Sequence, residues 1–251
     1  MTNFSFSAAN QSEVEKYLRA KIPISSKEYY RLLEKYQAVA FTVANYNNVK
    51  ILEKFQEELA KALENGTTME EFRKQIDHFL KDHGYKGLTN FRADNIFRTN
   101  MQTAYQIGHY ESMTDPDVKK LRPYWQYVAV DDNHTRNSHR ELNGKVYHCD
   151  NPVWDTIYPP NGYRCRCTVK TLSKRQVQQR GLTVEEDLPK TAKVWDRKLG
   201  KLTGNREPFG IDPKFRRNAA KDFFEMDLSE LPPILKEALR RKNKKGENRR
   251  F

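Results

Sequence analysis

The sequence predicts an α+β protein: a helical N-terminal half, a small antiparallel-sheet unit, and an irregular basic tail. Three observations carry that expectation. Apolar residues recur at helical spacing between capping signals as far as Asp115. Aromatic and β-branched residues take over after Pro123, and Pro, Gly and Asn become frequent from Lys190. The corresponding division is residues 1–115, 116–189 and 190–251. A chain of 251 residues is long enough for one large domain or two small ones.

Taken in order, residues from Gln11 to Leu33 read as helical, and Ser25-Ser26-Lys27-Glu28 forms a capping box that starts a new helix after Pro23. Ile51, Phe55, Leu59 and Leu63 recur at four-residue spacing and predict an amphipathic helix over Val49–Leu63, ended by Asn65-Gly66. Thr68 and Glu71 form a second capping box, followed by the stripe Phe72, Ile76, Phe79 and Leu80, with Gly84 closing the helix. A longer helix is expected over Phe91–Met113, packed through Ile96, Phe97, Met101, Ala104 and Tyr105, and stopped by Asp115-Pro116. Tyr124–Val130 alternates as a strand, Asn143-Gly144 predicts a tight turn into a second strand, and Cys165–Leu172 reads as a third. Ser173–Leu182 and Leu228–Arg241 are the last expected helices.

Composition narrows the class. Charged residues make up 31% of the chain and hydrophobic residues 37%, and mean hydropathy is −0.92. No apolar run approaches the ~20 residues that span a bilayer, and no basic-then-apolar leader is visible, so no membrane role and no secretory signal are expected. The net charge is +12, of which the last twelve residues, RRKNKKGENRRF, supply +6. Such a tail is either a solvated end or a contact for nucleic acid without sequence specificity.

The chemistry concentrates between Tyr124 and Thr168. All three cysteines, Cys149, Cys165 and Cys167, fall there. On a strand, Cys165 and Cys167 share a face, and a disulfide between them would close a strained small ring. Two thiolates on one face suit zinc, with His139 as a third ligand and His134, His148 or Cys149 as a fourth. The alternative is that the cysteines are ordinary buried residues and His139 bonds a loop backbone. Arg164 and Arg166 would emerge opposite the sulfurs, to pair with Asp131, Asp132 or Asp155 or to bind phosphate. Trp125 and Trp154 are expected to pack beneath. A second alternative reads Asp132, His134, His139, Asn143 and His148 as a metal-dependent nuclease centre. No phosphate loop, nucleophile elbow or catalytic triad is present.

Larger patterns run through the same residues. One is Asp132-x-x-Thr135-Arg136-x-x-His139-x-x-Leu142-x-Gly144-Lys145-Val146. It is followed by Trp154-Asp155-Thr156-x-Tyr158-Pro159-Pro160-Asn161-Gly162-x-x-Cys165-Arg166-Cys167. Together with Ala20–Ser25, Ala40–Ala44, Phe97–Glu111 and Gly210-Ile211-Asp212-Pro213-x-Phe215, the chain resembles the Mu F-like family of phage minor head proteins, also called the phage head morphogenesis family. The resemblance implies a virion component inside the phage head rather than an enzyme, made in the bacterial host cytoplasm. It would act in procapsid assembly beside the portal, scaffold or capsid protein, and in DNA packaging or delivery. Some relatives place cysteine where this chain has His139, an exchange between two zinc ligands. This chain departs from them in carrying Asn161-Gly162-Tyr163, with no histidine, just before Cys-Arg-Cys.

Overall fold

The computed structural model describes residues 8–188, 194–196, 201–203 and 211–247. The chain divides into two compact units, Met1–Gly108 together with Ala219–Phe251, and His109–Asn218. This differs from the division expected from sequence in two ways. The first boundary falls inside the helix Asn90–Thr114 rather than after it, and the C-terminal segment returns to the first unit. Most of the stretch from Lys190 to Gly210, expected to be irregular, lies outside the described residues, as do the last four residues of the basic tail. Two short strands within it, Val194–Asp196 and Lys201–Thr203, pair antiparallel.

The first unit is helical for the reasons its sequence offers. Thr68 accepts from the Glu71 amide while Glu71 reaches back, so the helix Met69–Asp82 starts on a complete capping box. Ser25 and Glu28 do the same for the short helix Ser26–Tyr29. The helix Val49–Asn65 ends at Gly66, whose φ of 67° a side chain would strain. Its stripe Ile51, Phe55, Leu59 and Leu63 is buried, as are Phe72, Ile76 and Leu80 of the next helix. Phe55 and Phe72 meet at 6.3 Å between ring centroids, and Phe72 meets Phe97 at 5.4 Å. Phe79 departs from expectation: it lies only half-buried and stacks on His83 at 4.1 Å. In the helix Asn90–Thr114, Ala93, Gln102, Ala104, Gln106 and Ile107 are buried, so of the side chains expected to pack only Ala104 is fully covered.

Two short strands, β1 (Ile22–Pro23) and β2 (Ala40–Phe41), pair in parallel within this unit. Against them packs the helix Pro233–Glu247, which places Leu231, Leu235 and Ala238 in one cluster with Ile22, Ile24, Val39 and Ala40. The helix expected over Leu228–Arg241 thus forms at Pro233–Glu247 and runs on into the basic tail, because its apolar residues are spaced to cover the paired strands. Lys242 on this helix donates to the backbone carbonyls of Arg19 and Lys21, and Gln56 donates to those of Leu18 and Lys21. Those carbonyls end the helix Ala8–Ala20 and have no partner within it. Burial pushes the Lys242 ammonium down to about 8.

The second unit holds a three-stranded antiparallel sheet, β3 (Tyr124–Val128), β4 (Val146–His148) and β5 (Thr168–Leu172), in the order β4-β3-β5. The expected turn between the first two forms at Leu142–Lys145: the Lys145 amide bonds the Leu142 carbonyl at 3.0 Å, with Gly144 at φ 83°. Replacing Leu235, which is fully buried, with alanine should destabilise the first unit by about 2–5 kcal/mol. Urea unfolding followed by helical circular dichroism measures this, and a loss below about 0.5 kcal/mol would mean that the helix is not docked.

Candidate metal centre

The core of the second unit is aromatic. Trp125 on β3 lies 5.5 Å from Trp154 and 6.2 Å from Tyr158, and Tyr147 meets Trp154 edge-on at 5.6 Å. Both tryptophans thus pack as the sequence leads one to expect. Beside them, the helix Asn137–Leu142 turns His139 and Leu142 inward, and both are buried. The Cys-Arg-Cys segment approaches from the other direction. It is not part of the third strand, which begins only at Thr168. Arg164 stands at φ 57° and the Cys165 amide closes a turn onto the Gly162 carbonyl at 3.2 Å, so the segment enters β5 as irregular backbone.

The two sulfurs nevertheless face one nitrogen. His139 Nδ1 lies 3.4 Å from Cys167 Sγ and 3.7 Å from Cys165 Sγ. The three ligand atoms lie within 4.8 Å of one another and all three residues are buried. The cysteines are free thiols. The two form a coupled pair: the hydrogen bond from Cys167 and then His139 draw the Cys165 thiol well below its ordinary value against the effect of burial. The same bond, burial and the neighbouring charge push Cys167 up.

Two further residues complete the pocket, and neither stood out in the sequence as a site residue. Tyr127 on β3 is fully buried, its hydroxyl is hydrogen-bonded to Cys167, and burial followed by the two sulfurs pushes it well above its ordinary value. Asn161 donates from Nδ2 to the Tyr127 hydroxyl at 2.9 Å and to the Ile157 carbonyl at 2.8 Å. The only sequence signal for Tyr127 is the alternation of its strand, and for Asn161 its place in the pattern before Cys-Arg-Cys.

The expected fourth ligands lie elsewhere. His134 is exposed in the loop before the helix. His148 and Cys149 gather with Asp150 in a second group, where Cys149 Sγ lies 4.0 Å from His148 Nδ1 and Lys119 pairs with Asp150. The nuclease arrangement is not assembled either. Asp132 is taken up by Arg166, Asn143 accepts from the Ala129 amide at 3.0 Å, and His139 is enclosed by sulfur.

Arg166 grips Asp132 with both arms, at 2.5 and 2.6 Å. This settles the choice among Asp131, Asp132 and Asp155 in favour of a bidentate ion pair. The Asp132 carboxylate also accepts from the His134 amide at 3.0 Å, and the Arg166 fork holds its carboxyl well below the usual carboxylate range. From the other segment, Arg136 donates to the Tyr163 carbonyl at 2.9 Å and lies over Gly162, where a Cβ would come within 3.3 Å of its guanidinium. The Asp212 amide bonds the Asn161 carbonyl at 3.3 Å, which ties the Ile211-Asp212-Pro213 segment to the same turn.

Because the folded-state value of Asp132 is depressed, its contribution to stability is complete above the ordinary aspartate value of ~3.9 and is lost as falling pH protonates it in the folded state. Asp132→Asn should therefore unfold at lower urea than the parent at pH 7, with the difference closing below about pH 4. A difference that does not change with pH would contradict the ion pair.

Residues 53–170 match the family described as Phage Mu protein F like protein. The chain is 39% identical over 169 residues to the Mu-like prophage FluMu F protein of Haemophilus influenzae, covering 62% of this chain and 40% of that protein. It is 35% identical over 188 residues to the putative capsid assembly protein F of Escherichia phage Mu, covering 68% of this chain and 42% of that protein. An uncharacterized Haemophilus influenzae protein is 28% identical over 224 residues, 79% of this chain and 46% of its own length. The chain thus spans less than half of each of these relatives. No solved structure matches. By the match over residues 53–170 and the 35% identity to the phage Mu relative over 68% of this chain, the chain belongs to the phage Mu protein F like family.

Proposed function

We propose that this chain is a structural protein of a tailed-phage or prophage head, acting in procapsid assembly at or near the portal. The observation that carries this reading is the family domain over residues 53–170, together with the capsid-assembly name of the phage Mu relative. The site geometry supports a structural role over an enzymatic one. Its polar residues are turned toward one another and buried, where a reacting substrate would need an open face. Among the described residues no helix is long and apolar enough to cross a membrane.

DNA is the second proposed partner. The helix Pro233–Glu247 buries Leu235 and Ala238 and leaves Lys236, Arg240, Arg241 and Lys244 exposed. A docked helix with an outward basic face is a firmer platform for phosphate than a loose tail, because its charges are already placed.

Deleting this gene from a phage or inducible prophage that carries it should leave no DNA-filled heads by electron microscopy. A tagged copy should sediment with procapsids and co-purify with the portal protein. Normal filled heads in the deletion, or a tagged chain absent from procapsids, would overturn the reading. Replacing the exposed Lys236, Arg240, Arg241 and Lys244 with glutamine should weaken retention on DNA, with a shallower salt dependence, while incorporation into heads is retained. Unchanged DNA retention would remove DNA from the list of partners.

A further inference from the structure

The arrangement of His139, Cys165 and Cys167 can be compared with what a metal ion requires. Zinc binds sulfur at ~2.3 Å and imidazole nitrogen at ~2.05 Å, so tetrahedral angles separate a sulfur from a nitrogen ligand by about 3.6 Å. The observed separations are 3.4 and 3.7 Å. One imidazole nitrogen can take part in a single good hydrogen bond, yet two sulfurs stand at equal claim around it. Burial of all three residues closes the pocket to water, which suits a structural ion more than a reactive one.

We propose that Cys165, Cys167 and His139 together hold one zinc ion as a structural brace, with the fourth position taken by oxygen and not by His134, His148 or Cys149. An oxygen beside these ligands is the Tyr127 hydroxyl, held in place by Asn161. The ion joins the helix that carries His139 to the segment that leads into β5, replacing weak S–H contacts with bonds to metal. This proposal is independent of the role in the head, since a brace of this kind serves any function of the unit.

The test uses the full chain purified without added chelator. Elemental analysis should find about one zinc per chain. Cys165→Ser and Cys167→Ser should lose it, while His134→Ala, His148→Ala and Cys149→Ser should retain it. Should the cysteine variants not fold, cobalt(II) exchange into the parent chain supplies the same answer: a sulfur-to-cobalt charge-transfer band with tetrahedral ligand-field bands is expected. A strong chelator should lower the melting temperature of the parent but not that of a folded Cys167→Ser variant. Zinc below about a tenth of an equivalent in the parent, together with no cobalt charge-transfer band, would overturn the proposal. Loss of zinc in His148→Ala or Cys149→Ser would overturn the ligand assignment, as would a Cys165–Cys167 disulfide found in the native protein.

Discussion

Arg166 reaches from the Cys-Arg-Cys segment to Asp132, and Arg136 reaches back from the neighbourhood of Asp132 to the carbonyl of Tyr163. The two arginines cross-brace the same pair of segments, one carrying His139 and the other carrying both cysteines. Neither segment is regular where it matters, so the backbone ladders of the sheet do not fix their separation. The ion pair does. A guanidinium fork sets both distance and plane, whereas a lysine would supply charge without the second bond. The spacing of the sulfurs around His139, and with it the shape of the pocket beneath Tyr127, follows from that fixed distance.

The unit around this brace is small for a three-stranded sheet, and its core is built accordingly. Trp125, Tyr127, Tyr147, Trp154 and Tyr158 each fill a large volume from few positions, which helps a sheet with short strands bury enough surface. The cost is a set of polar tips brought inside with the rings. Asn161 meets part of that cost by donating to the Tyr127 hydroxyl and to a backbone carbonyl from one side chain. Outside the sheet, the residues after Leu182 line the edge of β4: Val184 bridges to Val146, and Lys145 pairs with Glu185 at 2.5 Å. An edge covered in this way is less open to pairing with another strand.

The sequence was most legible where local rules act alone. The capping boxes at Ser25 and Thr68, the stops at Gly66 and Gly84, the Asn143-Gly144 turn and the helical stripe of Ile51, Phe55 and Leu59 all depend on neighbours within a few residues. The grouping of His139 with Cys165 and Cys167 was legible from residue type, although the strand invoked to align the sulfurs is absent there. What could not be read was long-range. Nothing near Gln56 says that it will cap a helix ending more than thirty residues earlier. The distance of His148 and Cys149 from His139 has the same origin. His148 and Cys149 flank the end of β4, and the pairing of that strand carries them into a different group.

The docking of the helix Pro233–Glu247 on β1 and β2 has a consequence in time. The first unit is interrupted in the chain: its closing residues, Leu235 and Ala238, follow Ala40 by nearly two hundred positions. A bacterial ribosome adding ~5–20 residues per second needs on the order of 10–40 s to span that gap. Throughout that interval Ile22, Ile24 and Val39 wait without their cover, while the inserted unit is being made. The second unit is therefore complete in sequence before the first, although the first begins the chain. Nascent chains halted before Leu231 should carry an exposed apolar seam, a natural handle for a chaperone or an early assembly partner.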